Sequence, residues 1–263
     1  MASRRLEGLE REIDKLEAKF RETAEDLRRL KLAAVAEREI KAEIAEIKDE
    51  WKEVHYKWWI VVLAGVLVFF ILSYFYYTQI GWYADRRHLP PSSDWLLNHL
   101  PKWNLLWVLS WGWLALHLFA AFLCILYYPG QMPFVLFTLG LFLLIRSTFI
   151  FLSPIGHPSD MLDMSELDYI FNRAMGWLTF NNEFVFSGHT SVPFLFYLFF
   201  ETPWQKRLFL CGSIVMAATV LITRNHYTVD VMGAYFISYS IYSLSRWTYF
   251  GYIRPLFLLR RES

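Results

Sequence analysis

Long apolar runs, separated by more polar segments, make up most of the chain after residue 57. No charged residue occurs from Trp58 to Tyr83 or from Trp103 to Leu144. A hydrocarbon core of about 30 Å requires about 20 apolar residues per helix, so each run is long enough for at least one span. The expected fold class is therefore an all-α integral membrane bundle. Six spans are predicted, at Trp58–Tyr77, Trp103–Leu126, Pro133–Leu152, Phe184–Phe200, Leu208–Thr223 and Val229–Leu244.

A different pattern precedes the first run. Apolar residues recur about every 3.5 positions from Leu6 to Leu30 and, after a phase shift near residues 33–36, from Ile40 to Val54. This spacing predicts one long helix with a stutter. Two interpretations remain open, an oligomerising coiled coil and a charged amphipathic helix lying on the protein or bilayer surface. The predicted domains are a cytoplasmic charged helix over residues 1–57, a six-span domain over 58–247 and a cytoplasmic tail over 248–263.

The composition supports this assignment and excludes several classes of function. Of the Asp, Glu, Lys and Arg residues, 29 lie within residues 1–57. Aromatic residues form 19% of the chain, which suits side chains at lipid and headgroup depth. These features exclude a soluble enzyme and a disordered tail. With a net charge of +1 the chain has no basic field for a polyphosphate partner, which excludes a nucleic-acid module.

Six spans place both termini on the same side of the membrane. That side carries most of the basic loop residues, among them Lys206, Arg207 and Arg246, and the opposite loops carry an acidic group. By the positive-inside tendency the termini are expected to be cytoplasmic. The loops of residues 83–102 and 153–183 then face the exoplasmic side, together with the starts of the fourth and sixth spans. The acidic group comprises Asp160, Asp163, Glu166 and Asp168.

Two polar motifs stand at the starts of these two spans. Residues 187–190 read Ser-Gly-His-Thr, and residues 226–230 read His-Tyr-Thr-Val-Asp. Because His226 and Asp230 are four apart at a helix start, the carboxylate can hold one imidazole nitrogen as a donor and leave the other as a nucleophile. His226 could then attack a phosphorus centre, with His189 as general acid and base. Ionisable groups within a membrane favour catalysis over a structural role.

Other residues near the motifs are candidates for holding a phosphate. Gly188 allows the backbone to approach it, and hydroxyl or guanidinium donors could bind its oxygens. A metal site is an alternative, since two histidines and one carboxylate can bind a transition metal. The catalytic interpretation itself requires no metal or cofactor, and none is expected. The predicted substrate-binding residues are Arg146, Arg224, Ser187, Gly188, Thr190, Tyr227 and His157.

The two motifs resemble the second and third signature motifs of the type 2 phosphatidic acid phosphatase (PAP2) superfamily. The more specific resemblance is to its sphingomyelin synthase branch, because Gly233–Phe236 (Gly-Ala-Tyr-Phe) follows the motif at residues 226–230, which corresponds to the third signature motif. The stretch Leu89–Pro101 resembles the Pro-Asp-rich first loop of that branch. Arg146–His157 resembles its Arg-led segment that ends in a Pro-Gly-containing loop.

The resemblance implies six spans, an exoplasmic catalytic centre and a phosphohistidine on His226, with His189 as acid and base and Asp230 as orienting carboxylate. The implied reaction moves a phospho-headgroup from a glycerophospholipid to a lipid alcohol, either ceramide or diacylglycerol. The chain departs from the superfamily's phosphatases. Position 220 is Val where they have Arg, and their Lys-led first motif is absent. We therefore expect Arg146 and Arg224 to clamp the phosphate.

Three alternatives remain at this stage. A phosphatase or phospholipase C-like hydrolase would use water in place of the lipid alcohol. A metal-dependent site is the second. The third is a non-catalytic membrane scaffold that acts through its N-terminal helix, as a homo-oligomer.

Overall fold

The computed structural model describes residues 25, 28–29, 31–52, 56–87, 89–153, 155–163, 173, 180, 182 and 184–255. The chain divides into two units, residues 1–53 and 54–263. In the first unit, residues 31–52 form one helix, α1. Its seam residues Ile40 and Ile44 are exposed, and Lys41 pairs with Glu37 at 2.6 Å across one turn. Most of the predicted seam from Leu6 to Leu30 lies outside the described residues, and the coiled coil stays a prediction.

The described part of the second unit is helical and contains no β-strand; one isolated parallel bridge joins Pro91 to Gly156. Short π-helical turns lie at Val108–Gly112 and at Tyr249–Ile253, and the second extends helical structure beyond the predicted boundary at residue 247. The α-helices are α2 (Tyr56–Asp85), α3 (Trp95–His99), α4 (Trp113–Tyr127), α5 (Met132–Leu152), α6 (Gly188–Phe199), α7 (Pro203–Ile222) and α8 (Thr228–Thr248).

Four of the described helical segments are long and apolar enough to cross a membrane. They are Trp59–Asp85, Val108–Tyr127, Pro129–Leu152 and Pro203–Ile222. They correspond to the first, second, third and fifth predicted spans, and they fit a multi-pass membrane protein. The fifth starts earlier than predicted because Pro203 occupies the first turn of α7, a position that proline favours.

The other two predicted spans do not meet this criterion. Helix α6 has 12 residues, about 18 Å at 1.5 Å per residue, because Ser187 caps it and residues 184–187 precede it without helical structure. Helix α8 has 21 residues, but Asp230 and four serines lower its hydropathy. These are the two helices that begin with the polar motifs.

The helices pack in an order that brings α5, α6 and α8 together. Helix α2 packs along α5, where a Cβ on Gly140 would lie 2.8 Å from the Phe69 ring. Helix α8 contacts both α5 and α6, and α6 also packs against α7. The main core contains Phe142, Phe186 and Ala234 from this junction. The starts of α6 and α8 therefore meet beside the last turns of α5.

Candidate active site

His226 and Asp230 form a buried pair at the start of α8. His226 Nδ1 lies 3.3 Å from Asp230 Oδ2, and the two residues are 5% and 1% exposed. The backbone N–H of Tyr227 donates to the same oxygen at 3.1 Å. The carboxylate is thus held by the backbone as well as by the imidazole. With Nδ1–H donating to Asp230, Nε2 retains the lone pair that a nucleophile requires.

His189 lies on the first turn of α6, beside this pair. Ser187 caps α6 by accepting the Thr190 N–H at 3.4 Å, and its own N–H donates to the Asp230 carbonyl at 3.1 Å. The His189 ring lies near the Leu109 carbonyl, and His189 is close enough to His226 and Arg146 to interact electrostatically with both. The structure therefore brings the three predicted catalytic side chains together.

Arg146 is a buried cation next to these side chains. It is 3% exposed on α5, and its Nε donates to the Phe186 carbonyl at 3.2 Å. Its Nη1 donates to the Tyr77 hydroxyl at 3.4 Å. A Cβ on Gly188 would lie 3.7 Å from Nε, an ordinary contact distance, so the guanidinium lies directly against the start of α6. A positive charge here can neutralise phosphoryl oxygens next to His189.

Arg224 has a different environment. It adopts a φ of 61°, in the left-handed region, and is 7% exposed. Its Nη1 donates to the Leu97 carbonyl and its Nη2 to the Leu100 carbonyl at 2.9 Å, while Nε lies 3.3 Å from Asp160 Oδ2. Its described partners are thus two carbonyls of α3 and its C-cap and one carboxylate. The predicted phosphate clamp by Arg224 and Arg146 stays a prediction for both residues; of the two, Arg146 is close enough to His189 to interact with it electrostatically.

Of the remaining predicted site residues, three are buried and one, His157, is exposed. Ser187 and Thr190 are fully buried at the start of α6, and the Thr190 hydroxyl has no hydrogen-bond partner among the described residues. Tyr227 is 4% exposed, and its hydroxyl accepts the Ser92 N–H and donates to the Gly156 carbonyl, both at 2.9 Å. His157 is exposed, with Nδ1 3.0 Å from the Pro158 carbonyl, so it lies on the loop surface.

Burial keeps the Tyr227 hydroxyl protonated. It raises the pKa of Tyr227, and the nearby carboxylates of Asp230 and Asp94 act in the same direction, against the opposing hydrogen bond from Ser92. The hydroxyl can therefore serve as a donor to Gly156 throughout the physiological pH range. Tyr227 links two loops at the site, residues 89–100 and 155–163.

Asp94 is a site residue that the motif search missed. Its Oδ2 accepts the Thr228 N–H at 2.6 Å, and its Oδ1 accepts the Thr228 hydroxyl at 2.9 Å and the Leu97 N–H at 3.1 Å. Partial burial acts to raise the pKa of Asp94, but the bonds from Thr228 and Leu97 outweigh it and hold the pKa below the ordinary 3.8. The local signal was an Asp directly before Trp-Leu-Leu, which indicates a helix cap.

Metal binding was an alternative from the sequence. Within the described ranges, no three His, Cys, Asp or Glu side chains come together in an arrangement that could hold a metal ion. Asp230 Oδ1 is buried without a hydrogen-bond partner among those residues. Glu183, which stands six residues before His189 in the sequence, lies outside the described residues.

Comparison with known families identifies the part of the chain that carries this site. Residues 182–248 match the family model of the PAP2 superfamily C-terminal domain. The match covers both motifs, with His189, His226 and Asp230. No curated protein and no solved structure matches the chain significantly. Residues 182–248 are thus similar to the C-terminal domain of the PAP2 superfamily, and this similarity suggests lipid chemistry of the phosphatase and phosphotransferase type.

Proposed function

We propose that the protein is a membrane phosphotransferase that moves a phospho-headgroup from a glycerophospholipid to a lipid alcohol, ceramide or diacylglycerol. The observation that carries the proposal is the buried His226–Asp230 pair beside His189 and the Arg146 guanidinium. This arrangement supplies a nucleophile, an acid and a cation within one junction of three helices. The proposal includes an exoplasmic site and cytoplasmic termini.

The first half of the reaction forms a phosphohistidine. His226 Nε2 attacks the lipid phosphorus, and the bond from phosphorus to the diacylglycerol oxygen breaks. Protonated His189 donates its proton to that oxygen, so diacylglycerol leaves as a neutral alcohol. Asp230 stabilises the positive imidazole ring through Nδ1–H, and Arg146 offsets the negative charge of the phosphoryl oxygens.

The second half transfers the headgroup. Neutral His189 takes the proton of the acceptor hydroxyl, whose oxygen attacks the phosphorus while the phosphorus–nitrogen bond to His226 breaks. Both histidines return to their starting states. Because a lipid alcohol enters from the bilayer, the apolar exposed faces of the helices suit a second lipid substrate.

A hydrolase is the second candidate, because the matched superfamily is one of phosphatases. It shares every step up to the phosphohistidine, after which water replaces the lipid alcohol. Two departures from the phosphatases favour transfer. Val220 stands where they have Arg, and their Lys-led first motif is absent.

Reconstituted full-length protein tests the proposal directly. Liposomes contain headgroup-labelled phosphatidylcholine, phosphatidylethanolamine or phosphatidylglycerol, with ceramide, diacylglycerol or neither, and the products are separated. We expect label to move onto the added lipid alcohol. Label found only in water-soluble products would replace the transferase with the hydrolase. His226→Ala and His189→Ala should both abolish turnover, whereas His99→Ala, on an exposed face of α3, should not.

A further inference from the structure

Two loops distant in sequence meet the start of the catalytic helix α8. Asp94 lies on one of them and contacts Thr228, the first residue of α8, through both carboxylate oxygens. The Oδ2 contact with the Thr228 N–H is 2.6 Å, a short distance typical of a charge-assisted bond. Asp94 is therefore bonded to the chain two residues after His226.

The free N–H groups at a helix start normally bond to a cap residue within the same helix. Here Tyr227 occupies the cap position. The Asp230 side chain within α8 accepts the Tyr227 N–H, and the Thr228 N–H is bonded to Asp94, 134 residues earlier in the chain. A carboxylate at this end also interacts favourably with the helix dipole. The orientation of the first turn of α8, and with it the His226–Asp230 pair, thus depends on a loop outside the two motifs.

The loop that carries Asp94 is itself held in place. The Tyr227 hydroxyl accepts the Ser92 N–H, and Arg224 donates to the Leu97 carbonyl. At Gly156 a Cβ would lie 2.2 Å from the Leu89 carbonyl oxygen, a backbone atom, so only glycine lets the two loops approach this closely. These contacts fix the position of Asp94 relative to residues 224–228.

We infer that Asp94 is a positioning residue for His226, which acts by anchoring the first turn of α8. The inference rests on the proposed function, since it assigns Asp94 to the reaction of that site. Asp94 does not touch the reacting phosphorus. It holds Thr228, so that His226 presents Nε2 in a fixed direction, and displacement of a reacting group by about 1 Å costs about 100-fold in rate.

Three substitutions separate this role from general loop stability. Asp94→Ala removes every bond to Thr228 and Leu97. Asp94→Asn keeps one oxygen acceptor and should be milder. Thr228→Pro removes both Thr228 donors but keeps the Asp94 bond to Leu97. Proline is favoured at the first position of a helix. Tyr227, with φ −79° and ψ 159°, already has the extended backbone that a residue before proline requires. Ser93→Ala, at an exposed neighbour, is the matched control.

The first readout is turnover in liposomes. We expect Asp94→Ala and Thr228→Pro to lower kcat about 10- to 100-fold, with KM for the donor lipid within about twofold. Asp94→Asn should be intermediate, and Ser93→Ala should match the wild type. A kcat of Asp94→Ala or Thr228→Pro equal to that of the wild type would overturn the inference.

The second readout does not depend on activity. Loss of a helix cap should make the amides of residues 226–231 exchange about five- to tenfold faster in Asp94→Ala, with those of residues 236–246 unchanged. Unchanged exchange in the first turn would overturn the anchoring, and so would faster exchange at unchanged kcat. If the wild type turns over no lipid, the proposed function fails, and the exchange measurement alone decides whether Asp94 anchors α8.

Discussion

Substitution of Asp230 tests how the imidazole of His226 is held. Asp230 Oδ2 accepts two donors, His226 Nδ1–H at 3.3 Å and the Tyr227 N–H at 3.1 Å. In Asp230→Asn the side-chain oxygen must face the Tyr227 N–H. The opposite orientation would place the amide NH₂ against the Tyr227 N–H, and two donors cannot bond to each other. The same oxygen can then still accept Nδ1–H. The backbone of Tyr227 therefore preserves the reactive tautomer even when the charge is lost.

The magnitude follows from what each variant removes. A hydrogen bond to a charged group contributes about 1 to 1.5 kcal/mol more than a neutral one, so Asp230→Asn should slow turnover about 5- to 15-fold. Asp230→Ala removes the acceptor altogether and leaves two buried donors without a partner. We expect about 3 to 4 kcal/mol, which is a 100- to 1000-fold loss.

The assay is release of labelled diacylglycerol from a labelled phospholipid, a step that transferase and hydrolase share. Glu201→Gln, an exposed carboxylate beyond the far end of α6, is the matched control and should keep wild-type rates. Thermal unfolding in detergent checks that each variant is folded. Equal losses in Asp230→Asn and Asp230→Ala would refute the reasoning about Tyr227. A wild-type rate in Asp230→Ala would remove Asp230 from the mechanism.

Four further predictions concern other parts of the chain. Removal of residues 1–50 should reduce the oligomer mass in detergent and leave most turnover intact; an unchanged mass would refute the coiled coil. Turnover should survive EDTA, and loss that added zinc restores would favour the metal alternative. Tyr227→Phe should lower the thermal midpoint more than Tyr252→Phe, because the Ser92 N–H and Gly156 C=O each lose a bond of about 1 kcal/mol. Hydrogen bonds hold the pKa of Asp94 below 3.8. In thermal unfolding, the wild type should therefore be more stable than Asp94→Asn at neutral pH, and this difference should disappear only as the pH falls below about 4.

Apolar run length and local spacing predicted much of the fold and the centre of the site. The helical segments that contain α2, α4, α5 and α7 are each long and apolar enough to cross a membrane. The i, i+4 spacing of His226 and Asp230 predicted that they share one helix face. Such patterns are local, so the sequence reports them directly. The sequence also brought His189 to the same end of the bundle, because both motifs begin predicted spans.

The contacts of the loops could not be predicted in the same way. Phosphate binding by Arg224 stays a prediction, but its described partners, the Leu97 and Leu100 carbonyls and Asp160, had no signal in the sequence. Asp94 was visible only as part of a Pro-Asp-rich stretch, although it bonds to Thr228 across 134 residues. Hydropathy and periodicity carry no information on such pairings, since each partner is an ordinary polar residue in its own loop.

The short helix α6 shows how the site and the bilayer constrain one another. Its 12 residues cover about 18 Å of a core about 30 Å thick, and the four residues of Phe184–Ser187 can extend over at most about 14 Å more. Backbone without helical structure is tolerated at membrane depth only where it is buried and its polar groups are bonded. Residues 184, 186 and 187 are buried; Arg146 Nε donates to the Phe186 carbonyl, and the Ser187 N–H donates to the Asp230 carbonyl. The feasibility of the predicted fourth span thus depends on Arg146 and on the backbone of Asp230, two residues of the candidate site.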